Sequence, residues 1–170
     1  MVGTGSARRG SQLALLRPDL DIRGIRGNVP TRIRKQKEGE FDAVVLARAG
    51  LRRLGLGDEV ADVLDVERMI PAAGQGALAV QSRAGDDAVN ALLAKIHHEA
   101  TAKCVAIERA FLARVGGGCS APVACHVRPV DGGFRAWAFV AEEDGTGGRR
   151  VELRGNAAEL PEALAGALGA

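Results

Sequence analysis

Hydrophobic and polar positions change period several times along the chain, and each change marks an element. Residues 7–16 place Leu13 and Leu16 at helical spacing, and Pro18 ends that helix. Leu20, Ile22 and Ile25 predict a short strand. Gly27-Asn28 predicts a turn, and 31–37 a strongly basic helix closed by Glu38-Gly39-Glu40. The stretch 42–47 contains a continuous apolar run, the mark of a strand buried on both faces, and 49–54 reads as a short helix. Alternating strands and helices point to α/β architecture with a mainly parallel sheet. The segment Met69-Ile70-Pro71-Ala72-Ala73-Gly74-Gln75-Gly76 breaks this rhythm and reads as a crossover. Beyond it, 77–81 predicts another buried strand and 86–95 a helix capped by Asp86. A long helix follows over 98–115, with Val105, Ala106, Ala110, Phe111 and Leu112 near one face. Gly116-Gly117-Gly118 stops it.

The tail changes style. Residues 123–128 and 134–140 alternate as strands around Asp131-Gly132-Gly133, a hairpin signal. A third strand is expected at 149–153 and an Ala/Leu-rich helix at 160–168. The fold class is therefore an α/β domain followed by a small α+β domain. Val2-Gly3 reads as the end of a strand, so further sequence is expected upstream.

Composition narrows the function. Apolar residues make up 46% of the chain and aromatics only 3%, so a core is feasible but base stacking is a poor mode of action. A net charge of +2 does not argue for nucleic acid. Its distribution says more: residues 1–40 hold Arg8, Arg9, Arg17, Arg23, Arg26, Arg32, Arg34, Lys35 and Lys37 against Asp19, Asp21, Glu38 and Glu40. Such a segment suits an anion. Cys104, Cys119 and Cys125 lack paired spacing, which fits a reducing compartment better than a disulfide framework. With no secretory signal and no apolar run of membrane-span length, the expectation is a soluble, cytoplasmic protein that engages neither membrane nor nucleic acid.

Three constellations carry chemistry. Gly3-Thr4-Gly5-Ser6-Ala7-Arg8-Arg9 is a Gly/Ser turn entering a helix, where free N–H groups and the helix dipole favour an anion. It matches neither the P-loop nor the dinucleotide fingerprint, and an ordinary helix start with solvated arginines reads equally well. Arg23-Gly24-Ile25-Arg26-Gly27-Asn28-Val29-Pro30-Thr31-Arg32 again joins a strand to a helix. Ligands of open α/β sheets gather at such strand ends. Arg34, Lys35 and Lys37 read as a solvated face. The third is Gly116-Gly117-Gly118-Cys119-Ser120-Ala121-Pro122, a cysteine on a glycine loop that a ligand can approach. Cys104 and Cys125 read as buried and inert, His97 and His98 as helix flanks, and no spacing suits a metal.

These motifs occur in the order and spacing seen in hydroxymethylbilane synthases (porphobilinogen deaminases). Pro71-Ala72-Ala73-Gly74-Gln75-Gly76 and the stretch from Asp42 to Gly55 strengthen the likeness, which is greatest over residues 3–126. The resemblance implies a transferase of porphyrin biosynthesis that joins four porphobilinogen molecules head to tail into a linear tetrapyrrole, releasing ammonia. It implies a dipyrromethane cofactor held by a thioether to Cys119. A thiolate there captures the electrophilic methylene left when porphobilinogen loses ammonia. Arg8, Arg9, Arg26 and Arg32 match the family's carboxylate-binding and catalytic arginines, and Ser6 a polar contact to the cofactor. Arg26, Arg32, Arg53 and Gln75 are the expected substrate contacts.

The family fold is two α/β domains of the periplasmic-binding type and a small α+β domain that carries the cysteine. By that likeness residues 1–76 are most of the second domain. Residues 77–98 return to a first domain that is largely missing, and 99–170 form the third. The family's acid–base aspartate has no match here, so the 170-residue chain alone is expected to be inactive, and the complete protein a monomer. Two other readings stay open: a carboxylate-binding module without chemistry, which has no need of the Gly-Gly-Gly-Cys loop, and a remnant of a truncated gene.

Overall fold

The computed structural model describes residues 1–116 and 121–170. It divides into two compact units. The first comprises Met1–Ile70, residues 121–123 and Phe139–Arg150; the second comprises Pro71–Gly116, Ala124–Ala138 and Val151–Ala170.

In the first unit, β1 (Val2–Gly3) lies between β2 (Ile22–Arg23) and β3 (Ala43–Val44), parallel to both. Helix α1 (Ala7–Leu16) connects β1 to β2, α2 (Val29–Lys37) connects β2 to β3, and α3 (Arg48–Arg53) follows β3. Each of the first two helices opens on a polar cap. Ser6 Oγ accepts from Arg9 N at 3.4 Å, and Asn28 Oδ1 accepts from Thr31 N at 3.0 Å. Asn28 capping places the start of α2 at Val29, two residues before the expected Thr31, and Pro30 fits the first turn. The buried apolar positions include Leu13, Ile25, Phe41, Leu51, Ile70, Phe139 and Val140. Residues 139–150 belong here because they lie against α1: an added Cβ on Gly145 would come 3.0 Å from Ser11 Oγ, and one on Gly148 3.7 Å from Leu15 Cβ.

Two expectations are corrected in this unit. The run 42–47 is only partly buried, with Ala43 exposed. The reason is topological: β3 is an edge strand of a three-stranded sheet, and among the described residues nothing pairs beyond it. Leu13 is buried but Leu16 is not, because the inner face of α1 runs through Ser11, Gln12 and Leu13.

In the second unit, α5 (Glu99–Val115) packs on strand β4 (Ala124–Val130) and on helix α6 (Leu160–Leu168). β4, β5 (Gly133–Val140) and β6 (Arg149–Gly155) form an antiparallel sheet in that order. The β4–β5 hairpin turns where expected, through Gly132 and Gly133 at φ of 80° and 154°. His98 caps α5 by accepting from Thr101 N at 3.2 Å. The buried seam of α5 is Cys104, Ile107, Glu108 and Phe111, the i, i+3, i+4, i+7 stripe. Of the expected apolar face only Phe111 lies on it, since the seam is rotated toward β4 and α6 and takes in a carboxylate.

Between crossover and α5 the expectation fails more plainly. α4 (Asp87–Ala94) forms, with Asp86 Oδ1 accepting from Val89 N at 3.1 Å. The strand expected at 77–81 does not. Leu78 is 92% exposed and Val80 is exposed as well. A strand exists only through pairing with another edge, and none is offered to this segment among the described residues.

Candidate functional site

The sheet order puts β1 at the centre, so the turns leaving β1 and β2 emerge side by side. Thr4 N donates to the Arg23 carbonyl at 3.0 Å, which locks the two turns together. An added Cβ on Gly5 would lie 2.8 Å from the Ile25 carbonyl oxygen and 3.4 Å from Arg32 Nη2. Glycine is therefore required where the two backbones and the Arg32 guanidinium meet. Arg32 is held there by Nε donating to the Gly27 carbonyl at 2.8 Å, across a turn that Gly27 makes at a φ of 114°.

Arg8 and Arg9 follow Ser6 on the first turn of α1. Arg8 Nη1 donates to the Ile70 carbonyl at 2.6 Å, and Arg9 Nη1 to the Val45 carbonyl at 3.4 Å. Both guanidinium groups are half-buried. Burial pulls Arg8 down to about 10, helped by the charge of Arg9. Burial, then the charge of Arg32, lowers Arg9. Two strand ends have thus gathered Arg8, Arg9 and Arg32 so closely that their charges oppose one another, and each donates to a backbone carbonyl. Desolvated like charges of this kind favour an anionic ligand.

The remaining expected residues are placed differently. Ser6 spends its hydroxyl as the cap of α1. Arg26 is exposed on the β2–α2 turn, and Arg53 is exposed at the end of α3. Gln75 lies in the second unit, on a turn in which its N–H donates to the Ala72 carbonyl at 3.0 Å. Cys119 lies outside the described residues. Arg34, Lys35 and Lys37 pair with Glu38, Glu40 and Glu59, as a solvated face should.

The other two cysteines are structural. Cys104 and Cys125 are buried free thiols, and burial followed by the Glu108 charge raises the pKa of both, that of Cys125 strongly. Glu108 itself went unnoticed in the sequence. Its Oε2 accepts from Gly74 N at 2.6 Å and its Oε1 from Val127 N at 2.8 Å, while Pro71 O accepts from Cys125 N at 3.1 Å. It thereby fastens the turn that bears Gln75 to α5 and β4. The signal was present: an acid four residues after Cys104 and three before Phe111, on the buried stripe. Gln12, four residues after Arg8, was missed in the same way.

A parallel α/β unit with arginines massed at its strand ends, joined in one chain to an α+β unit, is the class of protein that the fold defines. Residues 1–91 match the family model described as "Porphobilinogen deaminase, dipyromethane cofactor binding domain", and residues 102–170 match "Porphobilinogen deaminase, C-terminal domain". The chain belongs to the porphobilinogen deaminase family. It is 45% identical over 168 residues to the porphobilinogen deaminase of Thiobacillus denitrificans, covering 99% of this chain and 55% of the relative. It is 54% identical over 122 residues to that of Roseiflexus castenholzii, covering 72% and 40% respectively. Against that of Halalkalibacterium halodurans it is 45% identical over 171 residues, covering 99% and 55%. The chain spans about half the length of the curated relatives it matches.

Proposed function

We propose that the chain supplies the carboxylate-holding wall and the covalent tether of a hydroxymethylbilane synthase, which links four porphobilinogen molecules into a linear tetrapyrrole with release of ammonia. The observation that carries this reading is the convergence of half-buried Arg8 and Arg9 with Arg32 around Gly5. Each pyrrole of the product bears acetate and propionate arms, and a planar guanidinium fork binds a carboxylate through both oxygens. Arg26, exposed on the same turn as Gly27, and Arg53, exposed at the end of α3, are the proposed contacts to incoming substrate. Gln75 remains a proposed substrate contact by its family motif alone.

The donor set fits dipyrromethane, whose four carboxylates need such a wall, and the bare Gly5 turn is what lets the two strand ends and Arg32 close together. Arg8, Arg9 and Arg26 would hold those carboxylates, Ser6 orients the helix start that presents them, and Cys119 would form the thioether. When bound, the group supplies a covalent anchor with a free α-carbon on which the chain grows. Cys119 is favoured as the anchor because burial keeps Cys104 and Cys125 as unreactive thiols. Those free thiols also support a cytoplasmic setting.

We assign residues 1–76 to the second domain of the family fold, 77–98 to a segment that returns to the first, and 99–170 to the third. The exposure of Leu78, Val80, Leu92 and Ile96 supports the middle assignment, because these side chains have no cover within the described residues. The test is mass spectrometry of the full-length protein made in cells that supply porphobilinogen. An adduct of two pyrrole units is expected on the peptide containing Cys119 and absent in Cys119→Ser. An adduct on Cys104 or Cys125 would overturn the assignment.

A further inference from the structure

Gln12 occupies the inner face of α1, one turn beyond Arg8, and is only 3% exposed. Its amide is used at every hydrogen and at one oxygen lone pair. Oε1 accepts from Ile70 N at 2.7 Å, and Nε2 donates to the Ile70 carbonyl at 2.9 Å and to the Arg8 carbonyl at 3.2 Å. The side chain therefore clamps both polar groups of a single residue, Ile70, as a paired strand would. The Ile70 carbonyl has two lone pairs, and its second donor is Arg8 Nη1 at 2.6 Å. Among the described residues Ile70 has no strand neighbour to fix it. The last element before it is α3 with its trailing 3-10 turn, and the next is α4. Gln12 grips both its N–H and its carbonyl, and so fixes the place of Ile70 against α1 before Arg8 adds its single bond.

We propose that Gln12 is a positioning residue for Arg8: by clamping Ile70 it sets the acceptor that holds the Arg8 guanidinium in the strand-end cluster. The chemistry favours an amide at this point. Glutamate would place a second acceptor against the Ile70 carbonyl, and an aliphatic residue would leave a buried N–H and a half-served carbonyl. The proposal rests on the reading of Arg8 as a carboxylate-binding residue and gives that residue its support.

The test uses the 170-residue chain and phenylglyoxal, which attacks neutral guanidine, with modified arginines mapped by peptide mass spectrometry across pH. In the wild type the rate at Arg8 should level off near pH 10, where the held group titrates. The rate at Arg34, which is paired to Glu38, should keep rising. In Gln12→Leu and Gln12→Met the Arg8 profile should move upward to resemble that of Arg34, with a cooperative thermal transition retained. An Arg8 profile unchanged in a variant that melts cooperatively would overturn the proposal. So would loss of the cooperative transition in both variants, which would make Gln12 a residue of the fold alone. A separate arm adds porphobilinogen to the wild type. If the pH profiles behave as expected but porphobilinogen never slows modification of Arg8, the positioning stands and the carboxylate-site reading falls.

Discussion

Helices α4 and α6 draw on nearly the same residues and meet opposite fates. α6 buries Leu160, Pro161, Leu164, Ala165 and Leu168, whereas α4 buries no residue and leaves Leu92 62% exposed. Their ends differ in the reverse sense. α4 has a side-chain cap from Asp86, and α6 has none at Glu159. A helix this short is marginal by itself. α6 is held by packing on α5, while α4 relies on its cap and leaves its apolar side exposed. Charge shows the same division. Arg34 is already served by Glu38, while Arg9 has a carbonyl and a repelling neighbour. Charges without an opposite charge, and apolar faces without cover, among the described residues are where function is to be sought.

The comparison breaks most readily at its largest effect. Leu164→Ala should destabilise the second unit by about 2–5 kcal/mol in urea unfolding, and Leu92→Ala should change it by less than about 0.5 kcal/mol. Similar losses at both sites would mean that α4 is packed after all. Next in size, Arg9→Leu in the full-length protein should weaken retention of the pyrrole carboxylates by about 1.5–3 kcal/mol, the worth of one charge-assisted bond. Arg34→Leu should leave retention within error, measured as the fraction of protein carrying the two-pyrrole adduct. Asp86→Ala should cost about 1 kcal/mol and act locally, speeding amide exchange over 87–94 while α6 stays protected.

The smallest effect belongs to Asp19, exposed and paired with Arg17. The hydrogen bonds and charge of Arg17 pull its carboxyl down to about 2. The folded value lies below the ordinary one near 4, so the pair favours the fold above about pH 4. That contribution is lost as pH falls through about 2. An NMR titration of Asp19 should move up toward 4 in Arg17→Gln, with little change in melting temperature.

Most of the element order was legible because it rests on local chemistry: caps at Asp86 and His98, the Gly132-Gly133 hairpin, the stop after Leu16. What failed was anything decided by distant partners. Residues 77–81 have a strand's composition and, among the described residues, no edge to pair with; 42–47 have a central strand's composition at an edge. At the candidate site, Arg8, Arg9 and Arg32 were legible as basic residues at strand-to-helix turns. Gln12 and Glu108 were not, because their value lies in main-chain groups of Ile70, Gly74 and Val127, which no side-chain pattern displays.

The crowding at Gly5 decides where an observer can stand. A cysteine placed there for a fluorescent or spin label would strike the Ile25 carbonyl and displace Arg32, so its signal would describe a cluster already dismantled. Gly24 is the opposite case: an added Cβ there has no heavy atom within 4 Å, two residues from Arg26. A reporter at position 24 could watch carboxylates arrive while leaving the arginines where the chain puts them.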